Sequence, residues 1–204
     1  MESKTQKLLI ATSNLGKIVE LRSMLAVGQF NLVGLADFPN TPEVEETGAT
    51  FIENARLKAV GYAHQTSLLS IADDSGLEVE SLGGGPGVLS ARYGGENSTF
   101  AEKMAKLLSE MGLTGDKNRR ARFVCAMAVA DGKGNLLFES EGVCDGSIAV
   151  EPRGSGGFGY DPLFIPNGFD RTFGELSEDI KAGISHRKRA FEQIIPFLLD
   201  FNAS

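Results

Sequence analysis

The stretch KLLIATSNLGKIVELRSML, residues 7–25, predicts a short strand that is followed at once by a helix. Its first part, Lys7 to Thr12, is the kind of apolar run that is typical of a buried strand. From Asn14 onward the apolar residues recur at helical spacing on one face, at Ile18, Leu21 and Leu25. A strand that turns directly into a helix is the basic unit of an α/β fold.

The alternation of strands and helices continues along the first half of the chain. A second strand is predicted at 31–34, a helix at 50–65 and a buried strand at 68–74, which residues 77–79 either continue or reverse. Later, apolar segments at 122–130 and 136–143 flank the turn sequence DGKGN, which predicts a β-hairpin. Further helices are predicted to follow capping residues at Thr99, Ser177 and Ser185. Strand–helix alternation combined with a hairpin favours an α/β protein with a mixed sheet.

The composition is typical of a soluble globular protein. The 204 residues suit one large domain or two closely joined lobes, and we expect residues 1–204 to form a single domain. The hydrophobic content of 42% is sufficient for a core, yet no apolar run reaches the ~18 residues of a membrane-spanning helix. The first residues, MESKTQ, are polar and lack the apolar segment of a signal peptide. We therefore expect a cytoplasmic protein with no membrane partner.

Charge and cysteine content exclude two further classes of protein. With 27 acidic and 20 basic residues the net charge is −7, which argues against the basic face of a nucleic-acid-binding protein but permits a small polyanionic ligand. The two cysteines, Cys125 and Cys144, lie in apolar segments without metal-ligand spacing, and buried free thiols are expected. Because the chain has only two histidines, a His/Cys zinc site is not expected.

The turn between the first strand and helix, TSNLGK at residues 12–17, has the geometry that presents backbone N–H groups to a phosphate. It is not a Walker loop, because G-x-x-x-x-G-K-[ST] is absent. Lys17 is unusual, since a cation in the first turn of a helix opposes the helix dipole unless an anion lies nearby. The alternative is a solvated lysine beside an ordinary Ser/Asn cap.

Two acidic segments are candidates for metal or proton chemistry. Glu45 and Glu46 form an acid pair in the loop before the second helix, where Asn54 and Lys58 share a helix face. Alone, the acid pair is equally consistent with a solvated loop, and the face shared by Asn54 and Lys58 is equally consistent with the plain polar edge of a helix. The sequence IADDSG places two carboxylates at the end of a buried strand, where alternation points them to opposite faces and predicts different roles. One can hold Mg²⁺ or accept a proton from water, and the other can brace a loop. The alternative is an Asx-type turn.

The C-terminal third contains an aromatic glycine-rich loop and a basic helix start. In GGFGYDP, Phe158 and Tyr160 can stack on a base and Asp161 can accept a hydrogen bond from it, unless the aromatic rings pack into the core. The segment SHRKR puts cationic residues into a first helical turn, again as if to meet an anion or a carbonyl. Lys188 and Arg189 are better explained as a solvated face, while Lys181 is grouped with His186 and Arg187.

Six motifs occur in a fixed order along nearly the whole chain. They are S-N-x-G-K, E-E-T-G-x-T-F-x-E-N-A, A-D-D-S-G-L, G-G-x-P-G-x-x-S-A-R-Y, G-G-F-G-Y-D-P and S-H-R. Together they resemble the inosine/xanthosine triphosphate pyrophosphatases, which remove non-canonical purine nucleotides. The resemblance implies an elongated mixed α/β sheet with two lobes flanking a central nucleotide-binding cleft, and a homodimer. It also implies Mg²⁺-dependent hydrolysis of ITP, dITP or XTP to the monophosphate and pyrophosphate.

The resemblance also implies residue roles by matching position. The triphosphate cradle would be Thr12, Ser13, Asn14, Leu15, Gly16 and Lys17. Metal ligands would be Glu45 and Asp74, with Asp74 also the proton acceptor and Ser75 in contact with substrate. The nucleotide would be surrounded by Phe158, Gly159, Tyr160, Asp161, Lys181, His186 and Arg187. Ser13 departs from the family pattern, in which glycine is common at this position.

The mechanism predicted from these residues has two parts. Lys17 and Lys58 would clamp the phosphates, and His186 or Arg187 would donate a hydrogen bond to O6 of hypoxanthine or xanthine. Adenine has an amino group there, so two donors would face each other at a cost of about 1–3 kcal/mol. Two alternatives are a Maf-type pyrophosphatase of modified nucleotides and a non-catalytic nucleotide sensor.

Overall fold

The computed structural model describes residues 6–25, 30–95 and 97–201, and within them the chain forms six strands and five α-helices. The strands are β1 (Gln6–Ile10), β2 (Phe30–Gly34), β3 (Leu69–Val79), β4 (Arg120–Ala130), β5 (Leu136–Ile148) and β6 (Phe164–Pro166). The helices are α1 (Leu15–Leu25), α2 (Phe51–Thr66), α3 (Phe100–Leu113), α4 (Glu178–Ile184) and α5 (His186–Asp200). The polar residues 1–5, on which the expectation of no signal peptide partly depends, lie outside the described residues.

The strands follow the order β2-β1-β3-β4-β5-β6 in one sheet. β1 pairs in parallel with both β2 and β3, so Leu8 lies opposite Leu32 on one side and Leu69 on the other. Parallel neighbours need crossover connections, and α1 and α2 lie in the connections that follow β1 and β2. β5 and β6 pair antiparallel, with Ser147 opposite Ile165. The predicted mixed α/β sheet is therefore confirmed.

Helices α2 and α3 begin with the same local device. The Thr50 hydroxyl accepts a hydrogen bond from the backbone N–H of Glu53, and the Glu53 carboxylate accepts one from the backbone of Thr50, which is a capping box. Thr99 and Glu102 form the equivalent pair at α3. Because each box satisfies backbone donors that would otherwise lack partners, these two boundaries are set by local sequence.

The turn between β4 and β5 is the predicted hairpin connection. The Asp131 carboxylate accepts hydrogen bonds from the backbone N–H groups of Lys133 and Asn135, each at 2.9 Å. A side chain that imitates a backbone turn in this way explains why the aspartate starts the reversal. β4 itself is almost continuously buried, which agrees with its apolar sequence.

The chain divides into two compact units, and each has its own apolar core. Unit 1 comprises the described parts of Met1–Asp74, Cys125–Gly142 and Arg187–Ser204, and unit 2 comprises those of Ser75–Val124 and Val143–His186. Core residues of unit 1 include Ile10, Ile71, Met127 and Phe191. Core residues of unit 2 include Leu77, Phe123, Phe164 and Phe173. Strands β3, β4 and β5 contribute residues to both units, and the single domain over 1–204 stays a prediction.

Two details of the secondary structure, in β3 and β6, go beyond the elements predicted from the sequence. Of the two alternatives for residues 77–79, continuation of the strand is confirmed: β3 runs on to Val79, because Leu77 and Val79 enter the core of unit 2. β6 was not predicted, since a three-residue strand carries too little periodicity. Cys125 and Cys144 are buried free thiols, as expected. Among the helices of the described residues, none combines the length and the apolar character that crossing a bilayer requires.

Candidate functional site

The two aspartates of β3 lie inside the strand and have different partners. Asp73 and Asp74 are 0% and 6% exposed, so both carboxylates are removed from bulk water. Asp73 contacts Lys17 and Arg187, whereas Asp74 contacts Asn54 and Lys58. Successive side chains of a strand point to opposite faces, which accounts for the two separate sets of partners. The partners agree with the predicted orientation to opposite faces, and the alternative of a turn at the strand end is wrong because β3 continues through both residues. The different roles of the two acids stay a prediction.

Asp73 is the centre of a buried charge cluster, which we call the Asp73 cluster (Lys17, Glu20, Asp73 and Arg187). The Lys17 ammonium lies 3.0 Å from Asp73 Oδ2, and Arg187 donates to the same oxygen from Nε at 3.3 Å and from Nη2 at 3.2 Å. Arg187 also donates to Glu20, and its side chain is 1% exposed. Burial alone would raise the pKa of Asp73, but Lys17 and Arg187 outweigh it and hold that pKa well below its usual value.

The start of α1 shows how Lys17 is tolerated in a first helical turn. Asn14 caps the helix, because its Oδ1 accepts a hydrogen bond from the backbone N–H of Lys17 at 3.2 Å. Thr12 Oγ1 in turn accepts one from the backbone N–H of Asn14 at 3.2 Å. Among the predicted cradle residues, Ser13, Asn14 and Leu15 are exposed, and Thr12, Gly16 and Lys17 are partly buried. The anion predicted beside Lys17 is supplied, in this structure, by the protein carboxylate of Asp73.

Asp74 lies in a second group, which we call the Asp74 cluster (Glu46, Asn54, Lys58 and Asp74). Asn54 Nδ2 donates to Asp74 Oδ2 at 3.1 Å, and Lys58 Nζ lies 3.3 Å from Asp74 Oδ1 and 2.6 Å from Glu46 Oε1. Burial raises the pKa of Asp74 above its usual value, and the Glu46 charge adds to that effect, while Lys58 opposes it. Lys58 is also buried, which would lower its pKa, but Asp74 and the other nearby carboxylates raise it overall. The face shared by Asn54 and Lys58 is therefore not a plain polar edge.

The oxygen donors near Asp74 suit a hard divalent cation. Glu45 is exposed in the loop, Glu46 contacts Lys58, and burial raises the pKa of Asp74. Mg²⁺ is usually bound by one or two carboxylates together with phosphate oxygens and water. The described residues contain no preformed group of three or more His, Cys, Asp or Glu side chains that could hold a metal. This donor set fits Mg²⁺ that arrives with a phosphate ligand.

In unit 2, Asp161 holds the glycine-rich loop and Lys181 together. Its Oδ2 accepts hydrogen bonds from the backbone N–H of Phe158 at 2.7 Å and from Lys181 Nζ at 2.6 Å. Lys181 Nζ also lies 4.4 Å from the centroid of the Phe158 ring, within the range of a cation–π contact. A Cβ on Gly157 would lie 2.0 Å from Asp161 Oδ2, so only glycine fits there. The structure thus brings Phe158, Asp161 and Lys181 together as predicted.

Tyr160 differs from the other predicted residues of this loop. Its side chain is 3% exposed, its ring meets Phe100 edge to face at 5.6 Å, and its hydroxyl donates to the Ser90 carbonyl at 3.1 Å. The interpretation of Tyr160 as an exposed ring that stacks on a base is therefore wrong, and the alternative of a core position is confirmed. Phe158 is partly exposed and remains the candidate for stacking.

His186 and Arg187 are consecutive in sequence but have different partners. The His186 imidazole stacks on Phe123, with ring centroids 4.8 Å apart and an angle of 15° between the planes. Arg187 belongs to the Asp73 cluster. Arg189 is exposed and Lys188 lies 3.3 Å from Glu192, which agrees with the solvated face predicted for these two residues. Ser75, the predicted substrate contact after Asp74, is partly buried.

The sequence predictions missed one site residue, Glu20, and recognised another, Asn54, only in part. Glu20 pairs with Arg187, and the signal that could have revealed it is its position three residues after Lys17 on one helix face. Asn54 was recognised only as the companion of Lys58, whereas it contacts Asp74 directly. Neither residue carries a sequence pattern that predicts a partner distant along the chain.

The fold and the two charge clusters define a class: a mixed α/β protein with two buried lysine–carboxylate groups. Family comparison is more specific. The chain belongs to the Ham1 family, whose model matches residues 8–197.

Individual relatives match the chain over nearly its whole length. The dITP/XTP pyrophosphatase of Exiguobacterium sp. is 46% identical, over 94% of this chain and 98% of the relative. The structure of a HAM1 protein from Coxiella burnetii is 39% identical, with a TM-score of 0.88 over 96% of this chain and 100% of that one. The crystal structure of a nucleoside-triphosphatase / dITP/XTP pyrophosphatase from Mycobacterium abscessus is 43% identical, with a TM-score of 0.76 over 94% and 100% of the two chains.

Proposed function

We propose that this protein hydrolyses non-canonical purine nucleoside triphosphates, namely ITP, dITP and XTP, to the monophosphate and pyrophosphate. The observation that carries the proposal is the environment of Asp74, a buried carboxyl with a raised pKa that is held between Asn54 and Lys58. Displaced pKa values of this kind are typical of groups that exchange protons in catalysis. The name of a relative that is 46% identical over almost the whole chain, dITP/XTP pyrophosphatase, supports the same reaction with dITP and XTP.

The phosphates are assigned to residues of unit 1. Residues Thr12 to Lys17 offer hydroxyls, an exposed turn and a helix start, which together favour an anion. Lys17 and Lys58 supply positive charge, and each is already held in place by carboxylates. A cation that is oriented before the substrate arrives loses less entropy on binding than a free side chain would.

Mg²⁺ is the proposed cofactor, with Glu45 and Asp74 as its protein ligands. When bound, it would neutralise phosphate charge and stabilise the leaving pyrophosphate. Asp74 is also the proposed proton acceptor: its carboxylate orients the attacking water and takes its proton as the water oxygen bonds to the α-phosphorus. The hydrogen-bond donors Asn54 and Lys58, one on each carboxylate oxygen, would keep Asp74 oriented for that transfer.

The purine is assigned to residues of unit 2. Phe158 would stack on the base and His186 would donate to O6, while Asp161 keeps Lys181 and the loop of residues 158–161 in place. Arg187 is a weaker candidate for the O6 donor than the sequence suggested, because its guanidinium is occupied by Asp73 and Glu20. Ser75 is assigned to a substrate contact next to Asp74.

Product identification after incubation with ITP and Mg²⁺ tests this proposal. We expect IMP and pyrophosphate, with far lower turnover of ATP. Orthophosphate as the first product would overturn the assigned bond, and equal turnover of ATP would overturn the assigned base. Preferential hydrolysis of modified pyrimidine nucleotides would favour a Maf-type enzyme, and intact ITP after hours of binding would favour a nucleotide sensor. The cytoplasmic location and the homodimer stay predictions.

A further inference from the structure

Asn54 lies completely buried on α2 between Asp74 and the acidic loop, by which we mean residues 45–48. Its Nδ2 donates to Asp74 Oδ2 at 3.1 Å. Its Oδ1 accepts a hydrogen bond from the backbone N–H of Gly48 at 2.8 Å. One side chain therefore connects the proposed proton acceptor with the loop that carries Glu45 and Glu46.

The orientation of the Asn54 amide is determined by its partners. A backbone N–H can only donate, so the amide oxygen must face Gly48 and the amide nitrogen must face Asp74. Asp74 Oδ2 then receives a donor from Asn54, while Oδ1 receives one from Lys58 at 3.3 Å. With one fixed donor on each oxygen, the Asp74 carboxylate has little freedom to rotate.

Gly48 completes this arrangement. A Cβ at that position would lie 2.7 Å from Asn54 Oδ1 and 2.6 Å from the Cβ of Glu53. Both contacts are shorter than real Cβ atoms tolerate, so the loop can approach the amide of Asn54 only with glycine. The glycine and the asparagine of the sequence EETGATFIENA thus serve one purpose, which is a close contact between loop and helix.

We infer that Asn54 is a positioning residue, which fixes the Asp74 carboxylate and the acidic loop relative to each other for the reaction proposed above. This inference rests on the proposed function. In this scheme Asn54 touches neither the nucleotide, the metal nor the attacking water, and acts only through Asp74 and Gly48. It should therefore affect the rate of the chemical step more than the binding of the nucleotide.

Two substitutions separate the two contacts. Asn54→Asp keeps an acceptor for Gly48 but loses the donor to Asp74, and Asn54→Leu has a similar shape but loses both. We expect kcat for ITP to fall about 10–100-fold in both variants, as is common when a supporting partner of a site is removed. We expect KM for ITP to change less than about threefold. The inference would be overturned if kcat of Asn54→Asp stayed within twofold of the parent protein. It would also be overturned if kcat/KM fell by the expected factor only because KM rose.

Two control variants exclude trivial explanations. Asn31→Asp makes the same chemical change at an exposed position of β2 and should leave kcat unchanged. Thr50→Ala weakens the start of the same helix without touching Asp74, so it should lower stability and not kcat. If Thr50→Ala reduced kcat as strongly as Asn54→Asp, Asn54 would have a general structural role and not a positioning one.

Hydrogen exchange at the Gly48 amide tests the contact independently of any reaction. In the parent protein and in Asn54→Asp this amide should be protected, and in Asn54→Leu it should exchange about tenfold faster or more. An unprotected Gly48 amide in the parent protein would refute the inference even if ITP is hydrolysed. Conversely, protection as expected in a protein that leaves ITP intact would refute the proposed function and not the contact, and neither result requires a variant to fold.

Discussion

At the scale of single residues, Asp73 and Asp74 are adjacent carboxyls whose pKa values are displaced in opposite directions. Both are buried, and burial alone raises the pKa of each. Lys17 and Arg187 reverse that effect for Asp73. For Asp74, Lys58 and Lys17 only reduce it, and the charge of Glu46 adds to it. The number of cations within reach thus makes one residue a structural ion-pair partner and the other a candidate for chemistry.

The first prediction concerns Asp74→Asn. We expect kcat for ITP to fall at least about 100-fold, the lower range of what a general base contributes. We also expect no loss of thermal stability at pH 7. A carboxyl whose folded-state pKa is raised contributes stability at low pH, and this contribution is lost as the pH rises through that pKa. The ionised Asp74 therefore lowers the free energy of unfolding at pH 7, and asparagine removes that effect. Turnover and the melting temperature measure the two effects.

The difference in stability between Asp74→Asn and the parent protein should shrink as the pH is lowered, because Asp74 is then protonated and resembles asparagine. Lys58 keeps Glu46 at 2.6 Å in the variant, so its charge stays paired. A large loss of stability that accompanies the loss of turnover would instead indicate that Asp74 mainly supports the fold.

The second prediction concerns Asp73→Asn, which should have the opposite effect on stability. It leaves Lys17 and Arg187 without their shared carboxylate, and breaking a buried ion pair typically costs about 3–5 kcal/mol. Because the folded-state pKa of Asp73 is depressed, its contribution is complete above the usual aspartate pKa of 3.8 and is lost as the pH falls below it. The free energy of unfolding, measured with urea between pH 3 and pH 7, should therefore fall less steeply toward low pH in the variant than in the parent protein.

Glu20→Gln is the matched comparison for Asp73→Asn. Glu20 contacts the same guanidinium but its side chain is 22% exposed, so water can replace part of what is lost. We expect it to destabilise the fold by less than Asp73→Asn. Equal losses from both changes would mean that burial does not decide the strength of this cluster.

At the scale of elements, the predicted helix starts were accurate wherever the capping residues are local. Thr50 and Thr99 each form a capping box within four residues of sequence, so the local sequence is sufficient to locate the starts of α2 and α3. The boundaries of β3 and the core position of Tyr160 depend on residues distant in sequence. For Tyr160 one such residue is Ser90, whose carbonyl accepts a hydrogen bond from the Tyr160 hydroxyl. No short motif contains that information.

The third prediction concerns Thr50→Ala at the start of α2. Losing the hydroxyl that accepts from the Glu53 backbone should cost about 0.5–2 kcal/mol, and each kcal/mol corresponds to roughly 2–4 °C in a chain of this size. Thr47→Ala, in the exposed part of the preceding loop, is the control and should change the melting temperature little. An equal effect of both substitutions would show that the capping box does not stabilise α2.

The same distinction applies to the site. The motifs contain Lys17, Asp74 and Asp161, while helical spacing and position in the chain added Lys58 and Lys181. The structure places each of these residues in a group of opposite charges. Motifs cannot state which partner a charge meets. Sequence reasoning therefore associated Arg187 with the base, whereas its guanidinium meets Asp73, a residue 114 positions earlier in the chain.

At the scale of the whole molecule, the mixed sheet was predictable and the division of the core was not. Strand and helix periodicity indicates which residues are buried, but it does not indicate which buried residues share a core. The cores of the two units draw on β3, β4 and β5 in turn, so neighbouring residues such as Val124 and Cys125 belong to different units. Only pairing between distant segments creates that division.

The final prediction concerns the cooperativity of unfolding. Because three strands pass through both units, disordering one end of a strand removes support from its other end, and we expect a single transition in urea. The two thiols report on the units separately, since Cys125 belongs to unit 1 and Cys144 to unit 2, and both are buried. Burial also raises the pKa of Cys125, which keeps that thiol unreactive in the native protein.

Pulsed thiol labelling with peptide-level mass spectrometry should give the same urea midpoint for Cys125 and Cys144, and the loss of far-UV circular dichroism should coincide with both. Labelling of fully unfolded protein gives the reference reactivity of each thiol. If Cys144 became reactive at clearly lower urea than Cys125, unit 2 would unfold on its own, and the continuity of β3, β4 and β5 would not be sufficient to couple the two cores.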